Sequence, residues 1–274
     1  RLYGQTVPSE MRDKQLFTFR VPVGTAAIVT AANFPAAVPS WYLVPALLSG
    51  NTVVWKPAEH AAGIALAMAE LFYAGGVPRD VLKVVVADGP TTYDGLDTAL
   101  TKGLVQKLGF TGSTDVGRRL GELAGRHLQS PCLELGGKNP MVVMPDAQLD
   151  LVVEGALFSG FGSAGQRCTS LGTMWVHRDI YDTVRDRFIA ATEKAIVGDP
   201  FADVLFGPVI DEKYLINHEK NLAMITDRHR VGGSTGIGRI TATNPRAGFI
   251  GDPDAGWFVH PTIVENIAPG DALY

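Results

Sequence analysis

The sequence predicts an α/β fold built on a mostly parallel sheet, and three observations carry that prediction. Short apolar runs bounded by Gly or Pro alternate with longer stretches whose apolar residues recur at helical spacing. The order is strand, helix, strand rather than hairpin after hairpin, as βαβ units require. The composition is that of a globular chain: of 274 residues, 46% are hydrophobic and 19% charged, enough for one large domain or two modest ones.

Taken in order, residues 26–30 and 52–55 read as buried strands, with an apolar helical stretch at 39–48 between them that closes on Gly50 and Asn51. Residues 61–74 repeat small and apolar side chains at helical spacing and stop at Gly75 and Gly76. Residues 82–86 and 105–110 are the next strands, and Asp115 is placed to cap a helix running to about Arg126. The pattern then repeats: strand-like 133–135, a strand at 141–144, a helix at 149–161, a strand at 173–177, and a helix at 180–197 capped by Asp179. The domain boundary is expected near residues 131–137, giving domains 1–133 and 134–274. The polar tract 227–256 reads as loops. In such a sheet, ligands bind at the carboxyl ends of the strands.

The formal charge of −4 and a pI near 5.9 give no field that would draw nucleic acid or an anionic membrane. No apolar stretch is long enough to span a bilayer, and the opening Arg1-Leu2-Tyr3-Gly4 has no leader pattern. Two cysteines cannot make a disulfide framework and fit a reducing, cytoplasmic setting. The six histidines are dispersed without metal-ligand spacing, so no metal is expected.

Two glycine-rich stretches compete for a phosphate-binding role. Gly232 to Gly238 lacks the preceding strand and following helix that a dinucleotide fingerprint needs, and reads as a surface loop. Phe110-Thr111-Gly112-Ser113-Thr114-Asp115-Val116-Gly117 follows a strand and opens a helix. Its N–H groups and helix dipole suit a pyrophosphate, or else Ser113 or Asp115 is a plain N-cap. Cys168 follows the small residues Gly162-Ser163-Ala164-Gly165 and neighbours Arg167. It is either a thiolate nucleophile or a small buried hydrophobe. Cys132, among apolar neighbours, reads as core. Glu134, between Leu133 and Leu135, is either a desolvated general base or an outward-facing strand residue. Lys56 and Glu59 follow a strand end and alternatively form a solvated pair.

Together these segments resemble the aldehyde dehydrogenase superfamily, in the same order along the chain. The matching residues are Pro22-Val23-Gly24, Ala32-Asn33-Phe34-Pro35, Gly50 to Glu59, Phe110-Thr111-Gly112-Ser113, Leu133-Glu134-Leu135-Gly136-Gly137-Lys138-Asn139-Pro140 and Gly165-Gln166-Arg167-Cys168. Gly198-Asp199-Pro200, Gly207-Pro208 and His260-Pro261-Thr262 fit as well. The Gly-Gln-Arg-Cys-Thr-Ser stretch looks most like semialdehyde-oxidising branches.

The resemblance implies a Rossmann-like parallel-sheet cofactor domain followed by an α/β catalytic domain. It implies oxidation of an aldehyde to an acid with NAD or NADP. Cys168 would attack the aldehyde, Asn33 would hold the oxyanion, and Glu134 would activate the water that hydrolyses the thioester. Lys56 and Glu59 would bind the adenosine ribose, Gly112 and Ser113 the pyrophosphate, with Thr30 and Gly136 also on the cofactor side. Phe34, Phe161, Arg167 and Thr169 fall on the substrate side, where Arg167 either reads a substrate carboxylate or salt-bridges within the protein. Trp41 is a further tunnel candidate or plain core. A Glu beside the ribose suits NAD, although relatives with the same Lys-Pro-Ala-Glu segment use NADP.

The resemblance further implies a chain incomplete at both ends, a homo-oligomer (dimer or tetramer) in the full-length form, and a small aldehyde as substrate. The contrary reading is a silent relic that binds nucleotide or a partner subunit.

Overall fold

The computed structural model describes residues 3–233 and 236–274. The chain divides into two compact units, Arg1–Gly136 and Gly137–Tyr274.

The first unit opens with a hairpin of β1 (Gln5–Val7) and β2 (Leu16–Thr18), paired antiparallel. Neither strand was expected, because both are only three residues long and exposed throughout. The rest is β3 (Thr25–Val29), α1 (Ala37–Leu48), β4 (Thr52–Lys56), α2 (Ala62–Ala74), β5 (Leu82–Val84), α3 (Gly89–Thr101), β6 (Lys107–Gly112), α4 (Thr114–Arg126) and β7 (Cys132–Leu135). The five later strands form one sheet in the order β5-β4-β3-β6-β7, and every pair is parallel. Strand alternation splits the core between its faces. Ala26 and Ile28 of β3 pack with Leu43, Trp55 and Ala65 on the α1 and α2 side, while Ala27 packs with Leu100, Phe110 and Leu123 on the α3 and α4 side.

Two expectations in this unit change. The helix α3 was not foreseen, because Gly89, Pro90 and Gly95 weaken its pattern and only Leu96 and Leu100 are buried. It forms nonetheless, with Asp88 Oδ1 accepting from the Thr91 N–H at 2.8 Å as N-cap. The strand expected at 105–110 runs two residues later, since Val105 lies in the preceding turn with its carbonyl held by Gln129 Nε2 at 2.7 Å.

The second unit comprises β8 (Asn139–Val143), α5 (Leu149–Phe161), β9 (Leu171–Val176), α6 (Tyr181–Lys194), β10 (Val197–Gly198), α7 (Glu212–Leu222), β11 (Arg230–Gly232), β12 (Phe249–Ile250) and β13 (Ile263–Glu265). Its strands pair two by two: β8 with β9 and β10 with β12 in parallel, β11 with β13 antiparallel. Val197, Phe206, Ile240, Phe258 and Val259 form its buried cluster.

The helix expected at 180–197 ends at Lys194, because Ala195 is extended and Val197 enters β10. Asp179 does not cap it. His177 Nδ1 instead accepts from the Asp179 N–H at 3.3 Å in a short 3-10 turn ahead of α6. The tract 227–256, read as loops, contains β11 and β12, two short strands with too few residues to show a period. The polar helix α7 was also missed, having only Leu215 buried. In the stretch from Gly232 to Gly238, Ser234 and Thr235 lie outside the described residues. Gly232 ends a strand, and no α-helix follows it among the described residues.

Candidate active site

All five sheet strands of the first unit point the same way, so their carboxyl ends share one edge. The order reverses between β3 and β6, and the crevice at such a reversal is where doubly wound sheets bind ligands. At that edge β3 leads to Thr30, Asn33 and Phe34, β4 ends at Lys56, and β6 ends at Gly112. Beside them, β7 carries Glu134 in register with Thr111.

Thr30 is 3% exposed. Its N–H donates to the Lys56 carbonyl at 3.0 Å and its Oγ1 accepts from the Trp55 indole at 2.9 Å, prolonging the β3–β4 ladder by one step. Lys56 Nζ donates to Glu59 Oε1 at 3.2 Å, with the lysine side chain 12% exposed and the glutamate 51%. The lysine half is therefore lodged in the fold rather than solvated. Burial alone would raise the Glu59 carboxyl, but hydrogen bonds from its own backbone and from Lys56 outweigh that and hold it below the usual carboxylate range.

Ser113 caps α4, its Oγ accepting from the Val116 N–H at 3.4 Å, while Asp115 lies inside the first turn. The positive end of the helix is thus delivered at the end of β6. A Cβ on Gly112 would come within 2.5 Å of the Phe110 ring, so this position favours glycine.

Asn33 and Phe34 are half-buried, and the Phe34 carbonyl accepts from the Val38 N–H at 3.2 Å at the start of α1. Trp41, on α1, is 61% exposed and is not core. Gly136 is exposed.

Of the two readings of Glu134 the outward-facing one holds: it is exposed, and the flanking leucines lie on the opposite face of the strand. The reading of Cys132 requires correction. Cys132 is exposed for the same reason of alternation, rather than buried in the core.

Sequence reasoning missed Tyr42 on α1. Its hydroxyl donates to the Phe110 carbonyl at 3.2 Å and accepts from Thr111 Oγ1 at 3.1 Å, which braces the end of β6. Burial, above all, pushes its phenol up to about 12. The available signal was Gly109, where a Cβ would sit 2.8 Å from the Tyr42 ring.

In the second unit α5 ends at Phe161, and the backbone then turns left-handed at Ser163 (φ 56°, ψ 32°), Ala164 (φ 54°, ψ 33°) and Gly165 (φ 69°). The αL conformation costs a non-glycine residue roughly 1–2 kcal/mol, so the surrounding structure must hold the turn in place. Ser170 Oγ donates to the Gly165 carbonyl at 3.0 Å, and the Leu171 N–H donates to Ser159 Oγ at 3.1 Å. Asn139 Nδ2 donates to the carbonyls of Cys168 and Ser170 at 2.9 and 2.8 Å. Cys168 itself is a free, half-buried thiol, and Thr169 is exposed.

The Arg167 guanidinium stacks 4.3 Å over the Phe158 ring. Phe161 stacks on Phe188, with centroids 5.9 Å apart, and packs on the buried cluster of the unit. A cavity of about 300 Å³ opens beside the turn, lined by Ala164, Gly165, Gln166, His218 and His260 among others. Burial lowers the pKa of both histidines.

Among the described residues, no group of three or more His, Cys, Asp or Glu is placed to hold a metal ion. Among the described residues, no helix is long and apolar enough to cross a membrane.

The family model described as "Aldehyde dehydrogenase family" matches residues 1–274. The chain is 40% identical over 224 residues to succinate-semialdehyde dehydrogenase [NADP(+)] of Escherichia coli strain K12, a match covering 81% of this chain and 46% of that enzyme. It is 35% identical over 274 residues to the glutarate-semialdehyde dehydrogenase of Pseudomonas aeruginosa, covering all of this chain and 53% of that one. Betaine aldehyde dehydrogenase from Staphylococcus aureus, solved in complex with NAD+, superposes with a TM-score of 0.85 at 26% identity, over 98% of this chain and 51% of that chain. The chain therefore spans about half the length of the curated relatives it matches. With a family match along its whole length, the same fold and close curated relatives, this chain belongs to the aldehyde dehydrogenase family.

Proposed function

We propose that the protein oxidises an aldehyde, of the semialdehyde class, to its carboxylic acid with NAD(P)+, using Cys168 as nucleophile. The observation that carries this reading is the presentation of Cys168. A free, half-buried thiol follows a turn of three successive left-handed residues, two of them not glycine. Strain of this kind persists where geometry serves a function.

In the proposed reaction the Cys168 thiolate forms a C–S bond to the aldehyde carbon. The carbonyl oxygen becomes an oxyanion, held by the Asn33 side-chain amide and the Cys168 backbone N–H. The nicotinamide, when bound, supplies the hydride acceptor. The thioester left on Cys168 is cleaved when Glu134 takes a proton from water, hydroxide adds to the acyl carbon and the C–S bond breaks, releasing the acid. A base that recruits water must reach it, and Glu134 is exposed.

The residues of the first unit fit the cofactor. Ser113 sets a helix N-terminus at a strand end, and the Lys56–Glu59 pair offers a cation and a carboxylate to ribose hydroxyls. Thr30 braces the β3 and β4 ends there through its backbone N–H and its hydroxyl. Relatives named for succinate and glutarate semialdehydes support the substrate class. Arg167 is already engaged with Phe158, which argues against its reading a substrate carboxylate. We further propose that the full-length protein is a homo-oligomer.

The test is cofactor reduction by the full-length protein with simple aldehydes and semialdehyde acids, using NAD+ and NADP+, beside the Cys168→Ser variant. Turnover that vanishes in the variant supports the reading. Retained turnover in the variant sinks it, and nucleotide binding without turnover in the wild type points to a silent module. Arg167→Ala should change KM for semialdehyde acids and simple aldehydes alike; a rise confined to the acids would restore Arg167 as a carboxylate reader.

A further inference from the structure

Several side chains tie down the loop carrying Cys168, and Asn139 is the one that donates to the cysteine residue itself. Ser170 Oγ holds the Gly165 carbonyl and Ser159 Oγ holds the Leu171 N–H, so both act on the flanks of the loop. Asn139 Nδ2 reaches the centre, donating to the Cys168 carbonyl at 2.9 Å and to the Ser170 carbonyl at 2.8 Å. Both partners are carbonyl oxygens, which only accept. The amide must therefore present its NH2 group to them, with one hydrogen for each.

The strand pairing explains why a side chain does this work. Asn139 pairs with Leu171, but the next residue, Pro140, pairs with Thr173, so the β8–β9 ladder slips at its first step. The slip coincides with a proline, which has no N–H to give to a ladder. Upstream of Leu171 the parallel ladder stops, and the backbone of residues 168–170 has no strand partner. Asn139 substitutes for the missing strand: its side chain continues the donors of β8 along the nucleophile loop for a further three residues.

The geometry points to Asn139 as a positioning residue that fixes the peptide following the nucleophile, and with it the placement of the Cys168 backbone and thiol. Its amide NH2 is spent on the two loop carbonyls. Fixing the Cys168 carbonyl sets the ψ angle of Cys168, and the left-handed turn at Ser163 to Gly165 sets the approach from the other side. The two constraints define the thiol between them. This inference rests on the proposed role of Cys168 as nucleophile.

The experiment compares wild type, Asn139→Ala and Asn139→Ser in the full-length protein, reading kcat and KM for the aldehyde, thermal unfolding, and iodoacetamide labelling of each cysteine by mass spectrometry. Cys132 is exposed and serves as the internal reference thiol. Misplacement of a reacting group by about 1 Å costs on the order of a hundredfold in rate. The expected result is therefore a kcat lower by about that factor in Asn139→Ala. KM stays near the wild-type value, and the Cys168 to Cys132 labelling ratio rises several-fold as the loop loosens. Asn139→Ser keeps one donor and recovers part of kcat and of the labelling ratio.

An Asn139→Ala protein with kcat and labelling ratio both at wild-type level overturns the proposal. So does a loss of kcat accompanied by equal labelling gains at both thiols, which marks general unfolding. If the wild type shows no aldehyde oxidation, the reading of Cys168 as nucleophile fails on its own account. The labelling ratio then still decides whether Asn139 positions the loop.

Discussion

In the first unit the candidate groups hang from the ends of β3, β4 and β6, each laddered to a neighbour on both sides. In the second, the candidate nucleophile lies on a loop between α5 and β9 whose backbone is held by side chains: Asn139, Ser159 and Ser170. The first unit also has an asparagine tether, but at the opposite end of its sheet. Asn51 Oδ1 accepts from the Val23 and Gly24 N–H groups at 2.7 and 3.2 Å, where β3 begins. At the carboxyl edge, the strand ladder positions Thr30, Lys56 and Gly112, with Tyr42 and Trp55 bracing the strand ends. The contrast teaches that a ladder can fix a rigid edge, whereas the loop of the candidate nucleophile is set by a strained turn and a few replaceable hydrogen bonds.

The largest effect expected from breaking this comparison is chemical. Asn33 follows a doubly laddered strand, so Asn33→Ala should leave its backbone in place and remove only the amide donor. Loss of one oxyanion donor lowers kcat by about 10²–10³. Steady-state kinetics with an intact thermal transition would bear this out, whereas a KM change alone would contradict the proposed oxyanion role of Asn33.

Next comes a further tether of the second unit. Arg246 is 5% exposed, and its Nη2 donates to the Thr192 and Ala195 carbonyls at 2.6 and 2.8 Å, at the C-terminal end of α6. A guanidinium there satisfies terminal carbonyls and complements the helix dipole. Hydrogen bonds from charged donors contribute about 1.5–3 kcal/mol each, so Arg246→Met should cost about 2–3 kcal/mol in urea unfolding. A loss below the error of the melt would mean that water replaces these bonds at no cost.

How much of this was legible depends on the kind of contact. The parallel sheet could be read because residues 26–28 and 53–55 bury or half-bury consecutive apolar side chains between helix layers, while of residues 82–86 only Leu82 is buried. The helices α3 and α7 could not, because so few of their side chains face a core that no apolar period survives. Glu134 was ambiguous for a physical reason: flanking leucines show that a strand has one apolar face, not what covers the other. Cys168 stood out by its small, glycine-bearing neighbours. Asn139 did not, since a side chain bonding the backbone 29 and 31 residues later leaves no local pattern. The left-handed turn at Ser163 and Ala164 was equally silent, as neither residue type signals positive φ.

That turn supplies a smaller test. In the αL region Ala164 costs roughly 1–2 kcal/mol. Glycine returns about 0.5–1 kcal/mol of that through its unfolded-state entropy. Ala164→Gly should therefore stabilise the protein by about 0–1.5 kcal/mol while lowering kcat several-fold, because the turn no longer constrains the thiol. A variant gaining stability with undiminished kcat would show that the strain serves no positioning role.

The smallest effects separate the two units by pH. Tyr42 in the first unit has its phenol pushed up to about 12 from the usual 10.0, chiefly by burial. The fold thus favours the neutral phenol. Its contribution is fully present below pH 10.0 and is lost as the pH rises towards 12. His260 in the second unit is fully buried and titrates below the usual 6.5 because burial disfavours the imidazolium. Its contribution is present above pH 6.5 and is lost as the pH falls through its lowered value. Urea midpoints taken across both ranges should therefore decline on the alkaline side through Tyr42 and on the acid side through His260. Tyr42→Phe keeps the ring and cannot ionise, so it should flatten the alkaline decline and leave the acid one unchanged. His260→Asn should do the reverse, read from the slope rather than from its overall stability. An alkaline slope that Tyr42→Phe leaves untouched would show that the brace at the end of β6 tolerates the phenolate, contrary to its buried hydrogen-bonded position.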